Sequence, residues 1–121
     1  MSRAERQDRE TSAKLALVEK SEAALHETTR NASAEYKALA SDAQRLQERI
    51  VRYRSAVATP ARQRTVAAMA AYRSNQAALT LVLEARHAEL AVARKALALE
   101  RDLAKTRAQL AYRPLVLEAP P

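Results

Sequence analysis

From Leu15 to Val57 the chain keeps a single apolar seam in alternating steps of three and four residues. Its positions are Leu15, Val18, Glu22, Leu25, Thr29, Ala32, Tyr36, Leu39, Ala43, Leu46, Ile50, Tyr53 and Val57. Only Glu22 and Thr29 are poor seam residues. A 3–4 alternation sustained over about six heptads is a helical period, and it calls for a left-handed supercoil against a partner helix. Composition points the same way. Gly, Cys, Trp and Phe are absent, so the positive-φ turns of short β-hairpins lack their usual residue. Ala, Leu, Arg and Glu dominate, and all are good helix formers. Tyr36, Tyr53, Tyr72 and Tyr112 supply all the aromatic mass, too little for a thick globular core. Ala instead lets helices approach closely while burying little surface. The fold class expected is all-α: a long antiparallel α-helical hairpin or coiled coil, kinked at Pro60.

The chain divides as follows. Residues 1–10 are charged, lack apolar periodicity and read as a frayed lead-in, with Asp8 or Thr11 capping the helix that follows. A first helix spans 11–58. Thr59-Pro60 interrupts it, because Pro inside a helix loses a hydrogen bond and clashes with the preceding turn, while Thr before Pro is a good start signal. A second segment covers 60–73. The reversal falls at 74–76, where Asn75 tolerates the left-handed conformation that a helix end often needs. The last helix covers 77–112 and carries two seams. One is Leu79, Leu83, Leu90, Ala93, Leu97, Ala104 and Ala111, interrupted by Arg86, Glu100 and Arg107. The other is Val82, Ala85, Val92, Ala96, Leu99, Leu103 and Leu110, interrupted by Glu89 and Thr106. Adjacent seams make a wide apolar face that contacts more than one neighbour. Arg113-Pro114 stops the helix, and 113–121 reads as an extended tail.

Folding at Asn75 pairs Tyr53 with the Leu97 region, Leu46 with Ala104 and Leu39 with Ala111. The seam from Leu15 to about Tyr36 then has no partner within the chain, which implies self-association or a missing partner.

Chemistry is sparse. His26 and His87 stand far apart, outside any metal-binding spacing. There is no nucleophile–base–acid set, no Gly-rich phosphate loop and no paired-carboxylate pocket. No enzyme activity, cofactor or metal is expected. The net charge is +7. Arg45, Arg49, Arg52, Arg54, Arg62, Arg64 and Arg73 crowd the stretch around Pro60 with only Glu48 opposing. One reading is a phosphate-binding patch; the other is the solvated flank of a coiled coil. No aromatic residue interleaves except Tyr53. No segment approaches the ~20 apolar residues of a membrane span, and Met1-Ser2-Arg3 opens into charge without a signal-like apolar run.

A family resemblance rests on Pro60, Tyr72-Arg73-Ser74-Asn75, the apolar run Leu79 to Val82, Leu83-Glu84-Ala85-Arg86 and the closing stretch Leu103 to Tyr112. These resemble the C-terminal helical hairpin of the TolC-like outer-membrane efflux ducts. Gln44 to Ile50 and Ala58 to Ala61 are similar to the cobalt–zinc–cadmium heavy-metal branch. The resemblance covers about Asp8 to Pro114, but only the last part of a family member. It implies a trimer whose subunits give strands to a membrane barrel and helices to a periplasmic α-barrel, passing heavy-metal cations or drugs from an RND-type pump. It implies that Tyr72, Ser74, Asn75 and Gln76 form the periplasmic tip, meeting an adaptor protein and the pump. It implies that Glu84 stands near the pore constriction, where a ring of carboxylates attracts cations, with Leu83, Ala85 and Arg86 completing the tip-helix motif. Two positions depart from the family pattern: Asn75 stands for Gly, and Leu81 stands where a second acid is found. The chain as written lacks an export signal and on its own would be cytoplasmic; as part of a complete duct it would lie on the periplasmic side of the outer membrane. The alternatives are a free-standing basic coiled-coil protein that self-associates and binds nucleic acid, and an adaptor-protein hairpin.

Overall fold

The computed structural model describes Ser2 to Arg113, and all its regular structure is helical. In chain order come α1 (Arg3–Tyr53), a π-turn (Arg54–Ala58), α2 (Thr59–Arg73) and α3 (Leu79–Tyr112). The expected all-α hairpin is therefore present: two long helical runs joined by a short turn. Two compact units are distinguished, Leu39–Tyr112 and a second one containing the described residues up to Ala38 together with Arg113.

In the second unit the helix begins earlier than expected. Residues 3–10 are helical rather than a lead-in. The cause is a capping box: the Glu5 N–H donates to Ser2 Oγ at 3.2 Å and the Ser2 N–H donates to Glu5 Oε2 at 3.0 Å. Two helix-end donors are thereby satisfied reciprocally. Neither Asp8 nor Thr11 caps the helix. Thr11 lies inside it, and its hydroxyl donates back to the Gln7 carbonyl at 2.8 Å. Every residue from Ser2 to Asn31 is exposed, including the seam residues Leu15, Val18 and Leu25. Glu35 and Arg113 form an ion pair.

The unit Leu39–Tyr112 is the hairpin proper. Ile50, Leu99 and Leu103 are buried together, and Ala43, Leu46 and Tyr53 pack against them. The expected antiparallel pairing of Leu46 with Ala104 and Tyr53 with the Leu97 region is corrected in detail: Leu99 and Leu103 take the inward places, while Leu97 and Ala104 are exposed. Nearer the reversal the packing residues are smaller. Ala61, Thr65 and Ala68 of α2 are buried, as is Val82 of α3. With so little side-chain bulk, α2 and α3 bring Cα atoms within 8 Å of each other.

Of the two seams on α3, the structure turns inward the one through Val82, Ala85, Val92, Ala96, Leu99 and Leu103. Electrostatics accounts for the choice. That seam is broken by one acidic residue, Glu89, whereas the other would bury Arg86, Glu100 and Arg107, and unpaired buried charges cost several kcal/mol each.

The interruption at Thr59-Pro60 differs from the expected break. The backbone stays helical through it, with Ala58 at φ −68° and ψ −46° and Thr59 at φ −62° and ψ −48°. Thr59 is not an N-cap. Its N–H and its hydroxyl both reach back to the Arg54 carbonyl, the hydroxyl at 3.1 Å. The widened turn lies directly before Pro60, where an α-turn would press the proline ring against the carbonyl four residues back.

Candidate functional site

The end of the hairpin is built by a helix stop made without glycine. Ser74 is the last half-helical residue, and Asn75 enters the left-handed region at φ 57°. The Gln76 N–H donates to the Ala71 carbonyl at 2.8 Å and the Asn75 N–H to the Tyr72 carbonyl at 3.1 Å. This pair of bonds is the Schellman pattern, which satisfies carbonyls that a helix end leaves open. Ser74 adds its hydroxyl, donating to the carbonyls of Ala70 and Ala71 at 3.1 and 3.2 Å. The reversal then runs on through Ala78, so α3 starts at Leu79 rather than near Ala77. No Ser, Thr, Asp or Asn stands at Ala78 to start it sooner.

Tyr72, Ser74, Asn75 and Gln76 are all exposed on this turn. The four residues of Leu83-Glu84-Ala85-Arg86 point in four directions, as successive residues of a helix must. Ala85 turns inward and is half-buried; Leu83 is 59% exposed. Glu84 lines an open groove with Arg64, Ala67, Ala71 and Leu81. Arg86 lines a different groove with Arg62, Met69, Arg73 and Glu89. Glu84 and Arg86 thus flank the α2–α3 contact from opposite sides.

The arginine cluster is divided in the same way. Arg64 borders the first groove, and Arg62 and Arg73 border the second. Arg54 forms an ion pair with Glu100 of α3, and Arg45 lies 3.9 Å from Asp42. Arg107 donates to Gln47 Oε1 at 3.0 Å across the hairpin. The cluster does not form one continuous stripe. Lys95 Nζ sits 5.7 Å from the centroid of the Tyr53 ring, within reach of a cation–π contact.

Two residues near the turn were not singled out by sequence reasoning. Thr65 is buried, and its hydroxyl donates to the carbonyls of Ala61 at 3.2 Å and Ala85 at 3.3 Å. Glu89 stands on the inward seam with one carboxylate oxygen, Oε2, buried and without a hydrogen-bond partner. Its nearest cation, Arg86 Nη1, is 3.9 Å away, too far for a hydrogen bond. Glu89 was visible in the sequence only as an interruption of the seam.

One further unclaimed feature of the hairpin is apolar. Leu79, Leu83, Leu90 and Leu97 form the outward seam of α3, and each is between 49% and 64% exposed. His26 and His87 are exposed on separate helices. Among the described residues no three His, Cys, Asp or Glu side chains are grouped to hold a metal ion, and no helix is long and apolar enough to cross a membrane. No family model, curated protein or solved structure matches the chain.

Proposed function

We propose that this chain is a non-catalytic helical hairpin that works by packing against further helices. The observation that carries this reading is the leucine seam Leu79, Leu83, Leu90 and Leu97, left exposed on a hairpin whose own core is built from other residues, Ile50, Leu99 and Leu103. A row of large exposed apolar side chains on one helix face is the mark of an interaction face. More finely, we propose a segment of a trimeric TolC-like outer-membrane efflux duct, serving an RND-type pump and its adaptor in export of heavy-metal cations or drugs. Support for that step is the resemblance at Tyr72 to Asn75 and Leu83 to Arg86, together with outward seams of the sort that neighbouring wall helices would cover; Asn75 in place of Gly counts against it.

The test is the size and location of the native product. An antibody raised to residues 60–112 is used to blot outer-membrane and soluble fractions. A membrane-fraction band several times larger than 13.4 kDa supports the duct. A soluble band at that mass refutes it.

A second reading has one observation in its favour. The whole net charge of +7 falls within Leu39–Tyr112, where 13 Lys and Arg face 6 Asp and Glu. A basic helical protein of this kind would bind nucleic acid in a salt-sensitive way. Arg49, Arg52 and Arg54 changed together to Ala would then abolish DNA or RNA retention at low salt. The absence of any retention by the unaltered chain removes this reading.

A further inference from the structure

The inward face of the first helical run does not keep its period. It passes through Leu46, Ile50 and Tyr53, then through Ala58, Ala61, Thr65 and Ala68. The steps are four, three, five, three, four and three. A step of five has no place in a 3–4 alternation, and it coincides with the π-turn Arg54–Ala58. Val57, which the regular seam would place inside, is 37% exposed, while Ala58 takes the inward place.

We infer that the π-turn is a register device: it holds one residue that the packing does not need and thereby sets which face of α2 meets α3. An α-helix advances about 100° per residue. Were the turn α-helical with no residue removed, the same sequence would present Val57, Pro60, Arg64, Ala67 and Ala71 to α3. Arg64 would then face the part of the hairpin where Ala61, Thr65 and Ala68 now lie and where a guanidinium has no space. With the π-turn in place, Arg64 stands outside, beside Glu84, and Arg62 and Arg73 stand on the opposite flank with Arg86 and Glu89. The device therefore decides what both grooves beside the reversal display.

Three local features hold it. Thr59 ties its N–H and hydroxyl to the Arg54 carbonyl. The Ser55 hydroxyl donates to the carbonyls of Val51 and Arg52, each at 3.2 Å. Pro60 offers no N–H and resists the narrower turn.

A deletion scan of the full chain tests this. Removing Ser55, Ala56 or Val57 singly converts the π-turn to an α-turn and leaves both flanking faces in register. Each deletion is expected to move Tm by less than about 5 °C and to keep the nuclear Overhauser contacts between Thr65 and Ala85. Removing Ala43 or Ala67, outside the turn, rotates one face away and is expected to lower Tm by more than about 15 °C or to abolish cooperative melting. Deletions inside the turn that are as damaging as those outside it overturn the inference. So does equal tolerance at all five positions, which would mean that register does not matter.

Discussion

Thr65 Oγ1 donates a hydrogen bond to the Ala85 carbonyl oxygen, 3.3 Å away on the facing helix. It is a polar tie in the most closely packed part of the hairpin, where the neighbours are Ala61, Ala68 and Val82. The same proton is shared with the Ala61 carbonyl of its own helix. Thr65→Val keeps the shape and loses both bonds, and should cost about 1 kcal/mol in urea unfolding. Thr65→Leu adds bulk where backbones approach closely and should cost about 1–3 kcal/mol. A Leu variant as stable as the Val variant would mean that the two helices are not in close contact here.

Glu89 offers the opposite case. Its Oε2 is buried without a hydrogen-bond partner on an otherwise apolar seam. Glu89→Leu removes that oxygen and extends the seam between Ala85 and Val92. Stability should rise by about 1–2 kcal/mol, read from the urea midpoint at unchanged slope. A lower midpoint would show that the carboxylate has a stabilising partner.

Asn75 sits at φ 57° because the reversal needs a left-handed residue and no glycine is present. Asn75→Gly should be neutral or stabilise by a few tenths of a kcal/mol, since Gly carries no Cβ penalty there. Asn75→Val should cost about 1–2 kcal/mol, because a β-branched residue is strained in that region. Equal melting temperatures for the two variants would contradict the Schellman stop.

The capping box gives a local prediction. Ser2→Ala removes the acceptor of the Glu5 N–H. Amide exchange should speed up several-fold over the first two turns of α1, with the amides of Leu99 and Leu103 unaffected. Unchanged exchange near Glu5 would mean that the box does not hold the helix end.

Much of this architecture is written in the residue pattern. The 3–4 period of Leu39, Ala43, Leu46, Ile50 and Tyr53 identifies the inward face of α1, and Asn75 locates the reversal, so the antiparallel pairing of the two runs follows, though not the α3 residues that face inward. Three things resist that reading, each for a physical reason. The Ser2 to Glu5 box lies in a stretch without apolar periodicity, where its spacing is the only signal. The two seams of α3 have similar apolar content, and the choice between them depends on the cost of burying Arg86, Glu100 and Arg107. The π-turn is a slip of one residue. It is marked only by Pro60 and by a face that moves from Val57 to Ala58. At the candidate site, Leu83 to Arg86 is legible as a motif, but its division between two grooves emerges only once α2 is in place.

The exposed leucines of α3 bear the main functional claim, and sedimentation equilibrium tests it most directly. The unaltered chain is compared with a variant carrying Leu83→Gln, Leu90→Gln and Leu97→Gln, with helical content followed by circular dichroism. The account predicts an oligomer for the unaltered chain and a shift towards monomer for the variant, at equal helical content, because those side chains pack between chains and not within one. An unaltered chain that is monomeric at high micromolar concentration, or a variant that associates as strongly, would contradict it.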